Sequence, residues 1–295
     1  DELNEAMRSW VDPGNNLVSA DGNGDIAYLF RGQVPLRPMA NAWLPVPGWT
    51  GEHEWKGNIP FAELPRLRNP APGFIVSANN RIPDQNYPHY LALSFAPEYR
   101  ARRIYERLRN LPRATGEDMR SIHADSISIP AGVLAGLAGS AEAGDDLSRR
   151  ARSLLAGWNG AMDPESVAPT VYAAFRVKLL HRIIEPLAGP LAEVMFTSTG
   201  RGAPRQLAEL ASQIVSRAKA GDPSLLPAGT GWSSLAAEAL REGVSYLRSR
   251  WGDDPAAWKW GNVHRTSPQH PLSRFFPGAA GLLDPPSLPM GGDGD

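Results

Sequence analysis

Glycine and proline decide first what this chain can fold into. Its 295 residues include 29 glycines and 28 prolines, crowded into residues 32–88 and again after Pro268. Both residue types punctuate helices and strands, so these two segments are expected to be irregular and the longer regular elements to lie elsewhere. Nine tryptophans in the same chain argue against disorder. The expectation is of ordered loops, stiffened by proline and wrapped on a core.

A hairpin precedes the first irregular segment. Leu17–Ala20, the turn Asp21-Gly22-Asn23-Gly24-Asp25 and Ile26–Phe30 read as strand, Asn-Gly turn, strand. Asp21, Asn23 and Asp25 also look like the start of a calcium loop, but Ile26 stands where glycine is needed and Gly32 where glutamate is needed. Within the irregular segment, Trp49 and Trp55 are expected to pin the loop to the core, the alternative being the wall of a ligand pocket. Asn69 to Gly73 is a turn, and Phe74-Ile75-Val76 reads as a buried strand. That run ends in Asn79-Asn80-Arg81. An asparagine fixed at a strand end donates N–H bonds without titrating, as an oxyanion hole requires. The plainer reading is that both asparagines make a turn.

Helices should follow. Pro97 and Glu98 open an arginine-rich helix through Asn110, with Ile104, Leu108 and Leu111 as its apolar stripe. Most of its arginines form a solvated face, but Arg100 sits in the first turn, nearest the Asn79–Arg81 end of the preceding segment. Thr115 caps a second helix start, with Asp118 three residues on. The Ala- and Gly-rich run from Gly132 to Asp146 reads as a flexible connection. Three-to-four apolar spacing then predicts helices over about 147–157, 168–185, 204–219 and 233–251. The expected organisation is a strand and ordered-loop part (1–95), a mainly helical part (96–256) and an irregular return to the core (257–295). The start, Asp1-Glu2-Leu3-Asn4, and the end, Gly291-Gly292-Asp293-Gly294-Asp295, read as those of an internal piece of a longer polypeptide.

Several functions are disfavoured. A net charge of −1 gives no case for a nucleic-acid partner, and acidic neighbours offset the Arg100–Arg109 helix. No apolar run reaches the length of a membrane span. Without cysteine there is no thiol nucleophile or thiolate metal site. No phosphate loop, dinucleotide fingerprint or G-x-S-x-G elbow occurs. His264 and His270, and the pair His123 and Asp125, read as structural.

An ordered series of short strings nevertheless resembles a known family. Ala20–Tyr28, Gly32-Gln33-Val34-Pro35-Leu36-Arg37, Leu44-Pro45-Val46-Pro47-Gly48, Glu54-Trp55-Lys56-Gly57, Ile59-Pro60-Phe61, Asn69-Pro70 and Ala78-Asn79-Asn80-Arg81 follow the β-chain of penicillin acylase family enzymes. Tyr99–Ile104, Trp158-Asn159-Gly160 and the terminal strings continue the order. The resemblance covers essentially the whole chain. It implies an α+β fold: part of a four-layer αββα N-terminal nucleophile hydrolase core with a large helical insertion. It implies a self-cleaving precursor, an α-chain partner from that precursor, and an N-terminal serine that attacks the amide of an N-acylated small molecule. The substrates implied are β-lactam side-chain amides, or alternatively acyl-homoserine lactones, in the periplasm or outside the cell. It matches Asn79 to the oxyanion-hole asparagine and Arg100 to the active-site arginine, and puts the serine upstream of Asp1. No cofactor is needed for that chemistry. The family's structural calcium takes a carbonyl near Ala42 and a carboxylate after the Asn-Asn segment, where this chain has His89-Tyr90-Leu91 instead. A different reading is a non-catalytic module with an aromatic groove of Trp49, Trp55 and Tyr90.

Overall fold

A computed structural model describes residues 2–197 and 205–293. Asp1, Gly294 and Asp295, and with them part of both terminal strings, lie outside the described residues. The chain is mixed helix and sheet and divides into two compact units, Asp1–Ile122 and His123–Asp295.

The first unit is built on a three-stranded antiparallel sheet of β1 (Asn15–Ala20), β2 (Ile26–Arg31) and β3 (Arg66–Arg68), in that order. The expected hairpin is present, with Leu17 opposite Leu29 and Ala20 opposite Ile26. Its turn is closed by the Asp21 carboxylate, which accepts from the N–H groups of Asn23 and Asp25. That carboxylate is therefore satisfied as a turn cap. Central β2 buries Tyr28 and Leu29. The Tyr28 hydroxyl donates to Asn16 Oδ1 at 2.7 Å, and burial pushes its pKa up to about 12. Beyond the strands, Val34, Ile59 and Leu64 form a small core with Phe30, Leu36, Phe61 and Leu91 against it.

Two expectations fail in this unit. Phe74–Val76 belongs to no strand, and it is half-buried rather than buried. The place beside β2 is taken by β3, which its alternating arginines had disguised. The 74–77 segment is instead held by side chains: Asn16 Nδ2 donates to Ser77 Oγ at 2.7 Å, and Phe74 meets Tyr105 edge-on at 5.2 Å. Trp49 and Trp55 do not anchor the loop either, being 90% and 64% exposed. Short turns such as the one at Gly48–Thr50 close on their own carbonyls, so the loop is ordered without them.

Helix α1 (Tyr99–Leu108) follows, burying Ala101 and pairing Arg102 with Glu106. Helix α2 (Gly116–His123) starts at the expected cap: Asp118 N–H donates to Thr115 Oγ1, and Thr115 N–H donates back to Asp118 Oδ2.

The second unit is helical. It contains α3 (Ile129–Ser140), α4 (Asp146–Leu155), α5 (Ala168–Ala188), α6 (Leu191–Thr197), α7 (Arg205–Ala220) and α8 (Trp232–Trp251). Helix α3 corrects the expected flexible connection. Ser128 caps it, Pro130 occupies its first turn, and Ala131, Leu134, Ala135 and Ala138 are buried. Small alanine and glycine side chains let neighbours approach, and burial of Ala131, Leu134, Ala135 and Ala138 offsets the low helix propensity of its glycines, so composition that resembles a linker makes a buried helix. The core lies between α5 and α8, where Gly243 faces the backbone of Ala174 and Phe175; a β-carbon there would stand 3.0 Å from Phe175 N. The segment after α8 returns in short helical turns. It buries Trp258 and Trp260, whose indole N–H groups donate to the carbonyls of Gly252 and Gly292.

Candidate active site

The two residues singled out from the sequence meet within the first unit. Arg100 Nη2 donates to Asn79 Oδ1 at 3.2 Å and to the carbonyl of Ala78 at 2.9 Å. Helix α1 brings this about by starting at Tyr99, so that Arg100 projects from its first turn. Asn79 adopts a left-handed backbone with φ of 62°. Such a conformation costs most residues roughly 1–2 kcal/mol, and asparagine bears it better than other residues with a β-carbon. The bend is held from both sides: Ala96 N–H donates to the Asn79 carbonyl at 2.9 Å, and Asn80 Oδ1 accepts from Ala78 N–H at 3.0 Å. Asn80 is thus the turn-making residue and Asn79 the one presented.

The pairing fixes which way the Asn79 amide points. A guanidinium can only donate, so it turns Oδ1 toward itself and directs the NH₂ group away. Asn79 is exposed, and its Nδ2 meets no acceptor among the described residues. The result is an oriented, non-titrating N–H donor at the surface of the unit, held at a conformationally costly position. Donors fixed in this way stabilise negative charge that develops on a carbonyl oxygen, and locally strained backbone is found at such sites.

Other candidates are placed elsewhere. His264 stacks on Trp260 at 4.8 Å with its Nδ1 3.0 Å from the Met290 carbonyl, while His270 Nδ1 accepts from Leu272 N–H. His123 is exposed, and Asp125 caps Ile127 N–H. Tyr90 lines a cavity of about 370 Å³ with Arg81, His89 and Phe95, but Trp49 and Trp55 are not among its walls. This cavity was not legible beforehand; its one sequence signal was the aromatic string Tyr87-Pro88-His89-Tyr90.

In the segment after Asn80, where the resemblance would put a calcium carboxylate, the chain has His89, Tyr90 and Leu91. His89 Nε2 lies 2.6 Å from Glu63 Oε2. The Arg37 guanidinium stands 5.6 Å from the centre of the Tyr90 ring and 5.9 Å from that of Trp55. Among the described residues no three His, Asp or Glu side chains group to hold a metal. No step below runs through one.

The family model described as penicillin amidase matches residues 1–295. The chain is 38% identical to penicillin acylase 2 proenzyme of Pseudomonas sp. (strain SE83), over 100% of this chain and 37% of that protein. It is 27% identical to the acyl-homoserine lactone acylase QuiP of Pseudomonas fluorescens (strain Pf0-1), over 85% of this chain and 32% of the relative. It therefore spans about a third of the length of these curated relatives. The solved structure of a thermostable penicillin G acylase from Alcaligenes faecalis shares its fold, with a TM-score of 0.64 at 20% identity over 87% of this chain and 50% of the other. The chain belongs to the penicillin amidase family.

Proposed function

We propose that this chain supplies the oxyanion-binding part of an amide-hydrolysing acylase. Asn79 Nδ2 donates to the carbonyl oxygen as it becomes a tetrahedral oxyanion, and Arg100 is the positioning residue that keeps the amide facing it. The nucleophile is an N-terminal serine contributed from outside this chain, activated by its own α-amino group. It forms an acyl-enzyme that water then hydrolyses, without a cofactor. Within the whole enzyme the three-stranded sheet forms part of a four-layer αββα core. The single observation that supports this reading is the Arg100–Asn79 contact at a left-handed asparagine.

The whole protein is read as a proenzyme whose second chain completes the site, working outside the cytoplasm on N-acylated small molecules. Among the described residues no helix is long and apolar enough to cross a membrane. Relatives named as a penicillin acylase and as an acyl-homoserine lactone acylase give two substrate classes to assay. The full precursor, allowed to process itself, should lose about 10²- to 10³-fold in kcat on Asn79→Ala with either class it accepts. Arg100→Met should lose less, because the donor remains but is no longer oriented. Undiminished turnover by Asn79→Ala would sink the assignment. Specific ligand binding by the isolated chain, with no turnover in the processed precursor, would favour a non-catalytic module.

A further inference from the structure

The dipeptide Asn-Gly occurs twice in the chain, at Asn23-Gly24 and Asn159-Gly160, and the fold treats the two in opposite ways. Such a pair is chemically special, because glycine puts no side chain in the way of an attack on the asparagine amide. Asn23 and Gly24 are exposed at the tip of the β1–β2 hairpin. The Asn23 carboxamide has no hydrogen-bond partner among the described residues; it is the backbone N–H that donates, to Asp21 Oδ1 at 2.9 Å. A β-carbon on Gly24 would meet nothing within 4 Å. The Gly24 N–H makes one long bond, to the Asp21 carbonyl at 3.2 Å. At the second pair the amide is tied down, since Asn159 Oδ1 accepts from Ala161 N–H at 2.9 Å. Gly160 is buried and its carbonyl accepts from Ser128 N–H at 2.9 Å. A β-carbon on it would stand 2.7 Å from the Ser128 carbonyl oxygen.

We propose that Asn23 is a site of spontaneous modification, deamidating through Gly24, while the fold protects Asn159. The Gly24 backbone nitrogen gives up its proton and attacks Cγ of Asn23. The new C–N bond closes a five-membered succinimide, and the Cγ–Nδ2 bond breaks. Nδ2 leaves with its two hydrogens and the released proton, as ammonia. Water then opens the ring at one of its two carbonyls. Attack at Cγ gives aspartate; attack at the main-chain carbonyl gives isoaspartate, with the backbone rerouted through the side chain. Either product puts a new carboxylate between Asp21 and Asp25. The hairpin turn is held by the Asp21 carboxylate on the N–H groups of Asn23 and Asp25. The modification therefore loosens the register of β1 against β2 and the Asp25 contact with Arg68. It needs only water and residues of this turn, so it stands apart from the reading of Asn79.

The test uses the processed full-length enzyme, aged in mildly alkaline water enriched in heavy oxygen, digested in ordinary water and read by peptide mass spectrometry. Alkali promotes loss of the Gly24 proton, and the heavy oxygen marks only conversion that precedes digestion. The Asn23 peptide should gain label about tenfold faster than the Asn159 peptide, the ratio that a net hydrogen bond of about 1.4 kcal/mol gives. In concentrated urea the gap should close, because both pairs are then unfolded Asn-Gly. Asn23→Gln keeps an amide but needs a six-membered ring, so its peptide should stay unlabelled. Aged wild type should melt at a lower temperature than aged Asn23→Gln. Equal labelling in the folded enzyme, or a gap that persists in urea, overturns selection of Asn23 by the fold. Label in the Asn23→Gln peptide at the wild-type rate overturns ring closure through Gly24. Equal melting of the two aged proteins, with Asn23 labelled, overturns the effect on the hairpin.

Discussion

The helical unit and the strand-and-loop unit are held together by different physics. In the helical unit large side chains are fully withdrawn from water: Tyr172, Phe175, Leu179 and Ile183 on α5, with Leu240 of α8 opposite. The strand-and-loop unit has a small apolar cluster and relies on single backbone bonds between distant segments. Gln33 N–H donates to Val11, Leu36 to Gly57, Lys56 to Leu36 and Ile59 to Val34. Close packing penalises a residue in an unfavourable conformation, whereas a polar framework can hold one where bonds converge on it. The left-handed Asn79 sits in the second kind of structure, and the comparison shows why an oriented donor arises there and not between α5 and α8.

The largest effect should come from breaking the packed unit. Phe175→Ala removes a fully buried ring against α8 and should cost about 3–5 kcal/mol in urea unfolding. The exposed Trp49→Ser should stay within about 0.5 kcal/mol. Comparable losses from the two would mean that the loop aromatics bear weight after all.

A smaller change sharpens the contrast at the site itself. Asn79→Gly removes the donor but relieves the left-handed backbone, so thermal stability should hold or rise by up to about 1 kcal/mol. Turnover by the processed enzyme should collapse nonetheless. A clear loss of stability would make Asn79 a structural turn residue, as its local sequence first suggested.

How much of this was legible in the sequence follows from the same contrast. Amphipathic helices announce themselves by spacing, so α4, α5, α7 and α8 were predicted within a few residues. Helix α3 was not, because apolar residues on all its faces leave no periodicity and its Ala-Gly composition imitates a linker. Strand β3 was hidden by Arg66 and Arg68, whose side chains are exposed, and the apolar run at Phe74 drew the strand assignment instead. The site was legible only in part. The order of motifs pointed to Asn79 and Arg100, but the positive φ, the orienting contact and the cavity along Tyr87–Phe95 depend on where distant segments converge, which no local pattern encodes.

The smallest effect should come from the edge of the strand unit and should depend on pH. Asp25 closes the hairpin against β3, taking the Arg68 guanidinium at 2.7 Å and Asn69 Nδ2 at 2.8 Å. The Arg68 hydrogen bond, then that of Asn69, holds the Asp25 carboxyl below its ordinary value. A folded-state pKa lowered in this way means that the folded chain binds the proton less readily than the unfolded chain. The stabilisation is therefore complete above the unfolded value of about 4 and is lost as pH falls through the lower, folded value. Both partners are exposed to solvent, so the size is modest and salt screens it. Melting curves of the wild type and Asp25→Asn should differ near pH 7 and converge as the pH falls below about 4, and salt should shrink the gap. A gap that ignores both pH and salt would show that Asp25 acts only through its neutral hydrogen bonds, leaving the strand unit with no electrostatic contribution at this edge.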